Sequence, residues 1–189
     1  MKIVFINRFF FPDHSATSQL LTDVAFHLAQ TGYEVAVVTS RQTYDNPLAL
    51  HPARASEHGV RVVRVWSTRF GRRHLLGRTL DYITFYAGAL WNLLSLTARG
   101  DVIVAKTDPP LISVLAALVD RVRGALLVNW IQDLFPEVVS NLVGGQVGRF
   151  SRSLRSLRNW SLLSAKWNVV IGQQMQLRLE KEGIPAKQI

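Results

Sequence analysis

Three short polar segments interrupt an otherwise apolar chain, and each holds groups that bind anions or move protons. Residues 7–19, NRFFFPDHSATSQ, gather Asp13, His14, Ser15, Thr17 and Ser18 around Ala16. Residues 106–110, KTDPP, pair the ammonium of Lys106 with the carboxylate of Asp108. Residues 132–137, QDLFPE, hold the amide of Gln132 and the carboxylates of Asp133 and Glu137. Hydroxyls and free N–H groups at a helix start suit an anion or a hydroxyl-rich ligand. A Lys–carboxylate pair suits phosphate and sugar hydroxyls. An acidic residue at a strand end orients a substrate or accepts its proton, which makes Asp133 the candidate catalytic group, with Gln132 beside it. Each segment also has a purely structural reading. Ser15 or Thr17 can cap the helix that follows, Asp108 can cap the next one, and Glu137 behind Pro136 favours a helix dipole.

These segments need a scaffold, and the pattern supplies one. Strands are expected at 2–6, 34–39, 60–66, 101–105, 125–131 and 168–172, mostly as continuous apolar runs of the kind buried on both faces of a parallel sheet. Residues 60–66 alternate Val with Arg, which places that strand nearer the sheet edge. Helices are expected at about 16–31, 75–98, 110–122, 146–166 and 173–182, with Gly32 and Gly183 as C-terminal caps and Pro110 in a first turn. Residues 40–58 read as surface connections. Strands alternating with helices give an α/β fold, a doubly wound, Rossmann-like parallel sheet. Ligands of such sheets bind beyond the carboxyl ends of the strands, near the point where strand order reverses. With strand order 3-2-1-4-5, the three polar segments converge on one crevice.

Composition narrows the chemistry. The 189 residues, 48% of them hydrophobic, suffice for one domain with a substantial core. There is no cysteine, hence no disulfide scaffold, thiolate zinc site or thiol nucleophile. The five histidines show no metal spacing, and no G-x-G-x-x-G, Walker, H-E-x-x-H or G-x-S-x-G pattern occurs, so no metal or bound cofactor is expected. The net charge of +9 points to an anionic partner. Six arginines lie within residues 61–78, Arg69, Arg72, Arg73 and Arg78 among them, and lead into the uncharged run 82–98, YITFYAGALWNLLSLTA. That run is short for a membrane span and suits a buried or interfacial helix. The arginines would meet anionic head groups while Leu75, Leu76, Tyr82, Phe85, Tyr86 and Trp91 dip into the interface. The alternative is a solvated basic face. No nucleic-acid recognition motif is present.

The order FINRFFFPDHSATSQLLTDVAFHLAQTGYEVAVVTSR, GVRVVRV, DVIVAKTDPP, NWIQDLFPE resembles the N-terminal half of retaining GT-B glycosyltransferases. More narrowly it is similar to the family 4 enzymes of bacterial surface-polysaccharide assembly, the WbuB/WcaI-like group. The resemblance implies that residues 1–189 form an acceptor-binding domain, and that a C-terminal domain outside this chain binds a nucleotide-sugar donor and carries an E-x7-E motif. It implies transfer to a lipid-linked glycan at the cytoplasmic face of the inner membrane, by peripheral contact. Where many relatives have Gly-Gly in the first loop, this chain has Ser15–Thr17. Where many have His-Asp after the fifth strand, it has Gln132–Asp133, and an amide hydrogen-bonds a sugar but does not act as a base. Two other functions fit the pattern: a non-catalytic Rossmann-like ligand-binding module, and half of a GT-B sugar-nucleotide epimerase.

Overall fold

The computed structural model describes residues 1–46, 49–70, 75–136 and 149–189. The strands are β1 (Lys2–Ile6), β2 (Glu34–Ser40), β3 (Arg54–Glu57), β4 (Val60–Val65), β5 (Val102–Ala105), β6 (Leu126–Ile131) and β7 (Trp167–Val170). The helices are α1 (Ala16–Gln30), α2 (Leu75–Leu96), α3 (Ile112–Arg123), α4 (Arg149–Ser164) and α5 (Gln173–Lys181), followed by a short 3₁₀ turn at Ala186–Gln188. The sheet order is β3-β4-β2-β1-β5-β6-β7. All pairings are parallel except β3–β4. The expected order is present, with strand order reversing between β1 and β5.

Successive residues of β1 serve opposite faces. Val4 and Ile6 pack with Val38 and Ile103 under α2 and α3, through Phe85, Ala89, Leu93, Ile112 and Leu115. Phe5 packs with Val35, Val37 and Val104 under α1, through Leu21 and Ala25. Thus α1 covers one face, while α2 and α3 cover the other. Phe9 and Phe10 are buried, and Phe10 and Phe11 both meet the Phe26 ring edge-on. The first loop's phenylalanines therefore pack the end of the strand, as their apolar surface demands.

Three expectations change. Residues 54–57, within the segment read as a surface connection, form the edge strand β3, antiparallel to β4. The polar sequence RASE shows no apolar run, but His58 (φ 50°) and Gly59 (φ 83°) form a two-residue turn with both φ positive, the geometry that closes tight hairpins. β4 is consequently second from the edge, and its Arg64 is buried, donating from Nη2 to the Phe11 carbonyl at 2.9 Å. Helix α3 starts at Ile112 rather than at Pro110, and its cap is Leu111 at φ 64° without a side-chain bond, so Asp108 is not the capping residue. Finally, Phe85 is buried, Tyr86 packs against the core and donates its hydroxyl hydrogen to the Pro110 carbonyl, and Tyr82 turns towards the crevice. These three aromatics cannot enter a membrane interface. Among the described residues no helix is long and apolar enough to cross a membrane.

Candidate functional site

The backbone ladder continues past the strand ends and ties the first two polar loops together. Lys106 N donates to the Ile6 carbonyl (3.2 Å), Arg8 N to the Asp108 carbonyl (2.8 Å) and Ser40 N to the Arg8 carbonyl (2.9 Å). Beyond the ends of β1, β5 and β6 the surface opens into a cleft of about 560 Å³. Its walls bring together Ser15, Ala16 and Thr17 from the first loop, Lys106 and Asp108 from the second, and Asp133 from the third. All three sequence-predicted loops therefore reach one cavity.

Lys106 forms part of the cleft wall and is 1% exposed. Its Nζ donates to the Thr17 carbonyl at 3.0 Å and stands 3.8 Å from the centre of the Trp130 ring. No carboxylate of the described residues neutralises it, and burial pushes its pKa down to about 8. Ser15 caps α1, its Oγ accepting from Ser18 N at 3.3 Å. Thr17 Oγ1 lies 3.4 Å from that same oxygen. The cap keeps both hydroxyls at the cleft wall, so the structural and ligand-binding readings of these residues coexist. Asp133 is exposed within the cleft.

Other predicted residues fall outside the lining. His14 is exposed on the loop, with its carbonyl accepting from Gln19 Nε2 at 3.1 Å. Ser18 is buried and donates to the Asp13 carbonyl at 3.1 Å. Gln132 is half-buried, with Oε1 lacking a protein partner. Asp13 turns away from the cleft. Its Oδ1 accepts from Tyr44 N at 2.8 Å, and Oδ2 lies 3.7 Å from His51 Nε2. Burial holds the Asp13 carboxyl above, and the His51 imidazole below, their usual ranges. Asp13 thus acts behind the wall, fixing the segment that presents Tyr44 to the cleft. Glu137, Arg72 and Arg73 lie outside the described residues.

Sequence reasoning missed several lining groups. Tyr44 comes from the segment read as surface loop. Arg78, read as membrane-facing, lines the cleft and donates from Nε to the Tyr82 hydroxyl at 3.0 Å. Asn129 is 1% exposed, donates from Nδ2 to Asn168 Oδ1 at 3.0 Å, and keeps Oδ1 without a protein partner. An amide inside the apolar run LLVNWI was the available signal for it. Arg158 is buried, donating to the Phe135 carbonyl at 3.3 Å and to the Glu182 carboxylate, which ties the third loop to α4.

Residues 17–189 match the sequence model of the Glycosyl transferase 4-like domain. The chain belongs to this family. No curated protein matches it significantly. Its fold is that of GT-B glycosyltransferase domains. HepE from Anabaena, solved in complex with UDP, superposes with a TM-score of 0.60 at 16% identity, over 100% of this chain and 42% of that one. Sucrose-phosphate synthase from Thermosynechococcus elongatus gives 0.65 at 13% identity, over 96% and 45%. The glycosyl transferase 4-like chain thus spans less than half the length of either solved relative.

Proposed function

We propose that this domain is the acceptor-side half of a retaining glycosyltransferase of the WbuB/WcaI-like group, which moves a sugar from a nucleotide sugar to a lipid-linked glycan. The observation that carries this reading is the convergence of Ser15–Thr17, Lys106–Asp108 and Asp133 on one open cleft at the switch point of a GT-B-type sheet. Such a cleft offers hydroxyl, ammonium and carboxylate groups for positioning and electrostatic stabilisation. A second domain, closing over it, would hold most of the donor. The acceptor hydroxyl then attacks the anomeric carbon from the face that the diphosphate leaves, and the departing diphosphate takes up the proton. Asp133 orients the acceptor. The nucleotide sugar is a co-substrate, and the reading requires no metal.

The outward stripe of α2 supports a peripheral membrane position. Leu76 (81% exposed), Ile83 (54%) and Trp91 (73%) lie along one side of the helix, and the exposed Arg69 precedes its start, whereas Arg78 is turned to the cleft. A helix of this kind laid on the cytoplasmic face would bring the cleft close to a lipid-linked acceptor. The deciding experiment is sugar transfer by the full-length protein against a panel of nucleotide sugars with lipid-linked acceptors. Transfer with retained anomeric configuration, absent from residues 1–189 alone, is the expected result. Robust transfer by the 189 residues alone would refute the division into two halves.

A further inference from the structure

A second recess opens at the opposite end of the sheet, where β1 and β4 begin. It has a volume of about 160 Å³ and is lined by Lys2 of β1, Arg54 of β3, Arg61 of β4, and Asn92 and Ser95 of α2. The sheet register explains how three cations meet there. Arg54 pairs with Val63, and Arg61 with Ser56, so the two guanidinium groups are diagonal neighbours on one face of the β3–β4 hairpin. Diagonal neighbours in an antiparallel pair lie within reach of each other's long side chains, and like charges so placed repel. Neither arginine has an ion-pair partner among the described residues. The nearby carboxylates, Glu34 and Asp101, serve Lys2 and offset its charge, leaving the two arginines unmatched. Asp101 Oδ1 accepts from Lys2 N at 2.8 Å, and Oδ2 accepts from Ala98 N at 2.9 Å. Lys2 Nζ lies between Glu34 (3.8 Å) and Asp101 (3.7 Å). The Asn92 amide and Ser95 hydroxyl donate to carbonyls of their own helix. The free donors of the recess are therefore guanidinium groups, whose planar fork matches an oxyanion.

We propose that this recess binds a phosphate group, bridged by Arg54 and Arg61, while Lys2 stays with its own two carboxylates. Its size admits one oxyanion rather than a nucleotide, and its place at the amino ends of the strands separates it from the cleft. Trp91, one turn before Ser95 on α2, is strongly exposed beside it. The phosphate is either free in solution or carried by a lipid head group, and an interfacial Trp beside the site suits the second source.

The test is an amide NMR titration of the full 189-residue chain with inorganic phosphate at low salt, beside the R54Q/R61Q variant. A phosphate site here predicts saturable shifts at Lys2, Arg54, Arg61 and Asn92, weakened about tenfold or more in the variant through loss of two charge-assisted contacts. A thermal melt of R54Q/R61Q without phosphate, no lower than that of wild type because the repulsion between the two arginines is gone, confirms that the fold survives. Sedimentation with phosphatidylcholine vesicles, with and without phosphatidic acid, then separates the sources. Phosphatidic-acid-dependent binding lost in the variant assigns the lipid, and retained binding assigns free phosphate. Shifts confined to the cleft around Lys106, or shifts at the recess that the variant leaves intact, overturn the proposal and leave the two arginines as solvated charges near the α2 carboxyl end.

Discussion

Replacing Lys106 by Met should make the domain more stable and the proposed full-length transferase less active. Lys106 is buried among apolar groups, with one carbonyl and one aromatic ring as partners. Burial lowers its pKa from 10.5 to about 8. A fall of that size corresponds to about 3 kcal/mol against the charged form in the folded state. The sign follows from linkage. Between pH 8 and 10.5 the unfolded chain binds more protons than the folded one, so stability rises with pH across that window and the full penalty applies below it. Met removes the penalty and keeps the side-chain length. It also leaves the Thr17 carbonyl short of a donor and removes the cation–π contact, each worth about 1 kcal/mol. The net gain at pH 7 is about 1 kcal/mol, or about 2–4 °C in Tm for a chain of this size. Urea melts of both proteins from pH 7 to 10.5 provide the assay. The wild-type curve should climb towards and past the variant's, with a difference that changes by about 3 kcal/mol over the window. A pH-independent difference, or a K106M protein destabilised at pH 7, would show that the ammonium is a structural pillar rather than a charge kept for a ligand.

In the proposed two-domain transferase, D133N should lower kcat on the order of 10²-fold by loosening the acceptor's placement in the cleft, and E137Q far less; equal, mild losses would remove Asp133 from the reaction. His51 is held neutral by burial, so as pH falls through 6.5 the unfolded chain takes up the proton first and stability drops. H51Q should flatten that slope in denaturant melts between pH 5 and 7, and an unchanged slope would mean that another group sets it. Vesicle binding should require anionic lipid and weaken as salt rises, with each basic residue at the surface contributing about 1 kcal/mol. It should fall when Arg69, Arg72 and Arg73 become Ser, and also when Leu76 and Ile83 become Ser, whereas absence of binding to both neutral and anionic vesicles defeats the membrane reading.

The sequence by itself determined the scaffold and the position of the cleft. Apolar runs such as KIVFI and EVAVVT, spaced by helix-length segments, admit little besides a parallel sheet, because continuous apolar strands must be covered on both faces. Right-handed crossovers then place the loops after β1, β5 and β6 side by side. Those signals are local in the chain, and so they were legible. Only the tertiary structure decided which side chains within the loops enter the cleft. Asp13 and Ser15 are two residues apart, yet the carboxylate turns back to Tyr44 N and His51 while the hydroxyl caps α1 at the cleft wall. Arg64 and Arg69 read alike in a basic run, but the first is buried in β4 with its guanidinium on the Phe11 and Pro52 carbonyls, and the second is exposed beyond the strand. Tyr44, Arg78 and Asn129 join the cleft from three separate elements. No periodicity records such meetings, because they depend on where the sheet's twist and the helix packing carry distant parts of the chain.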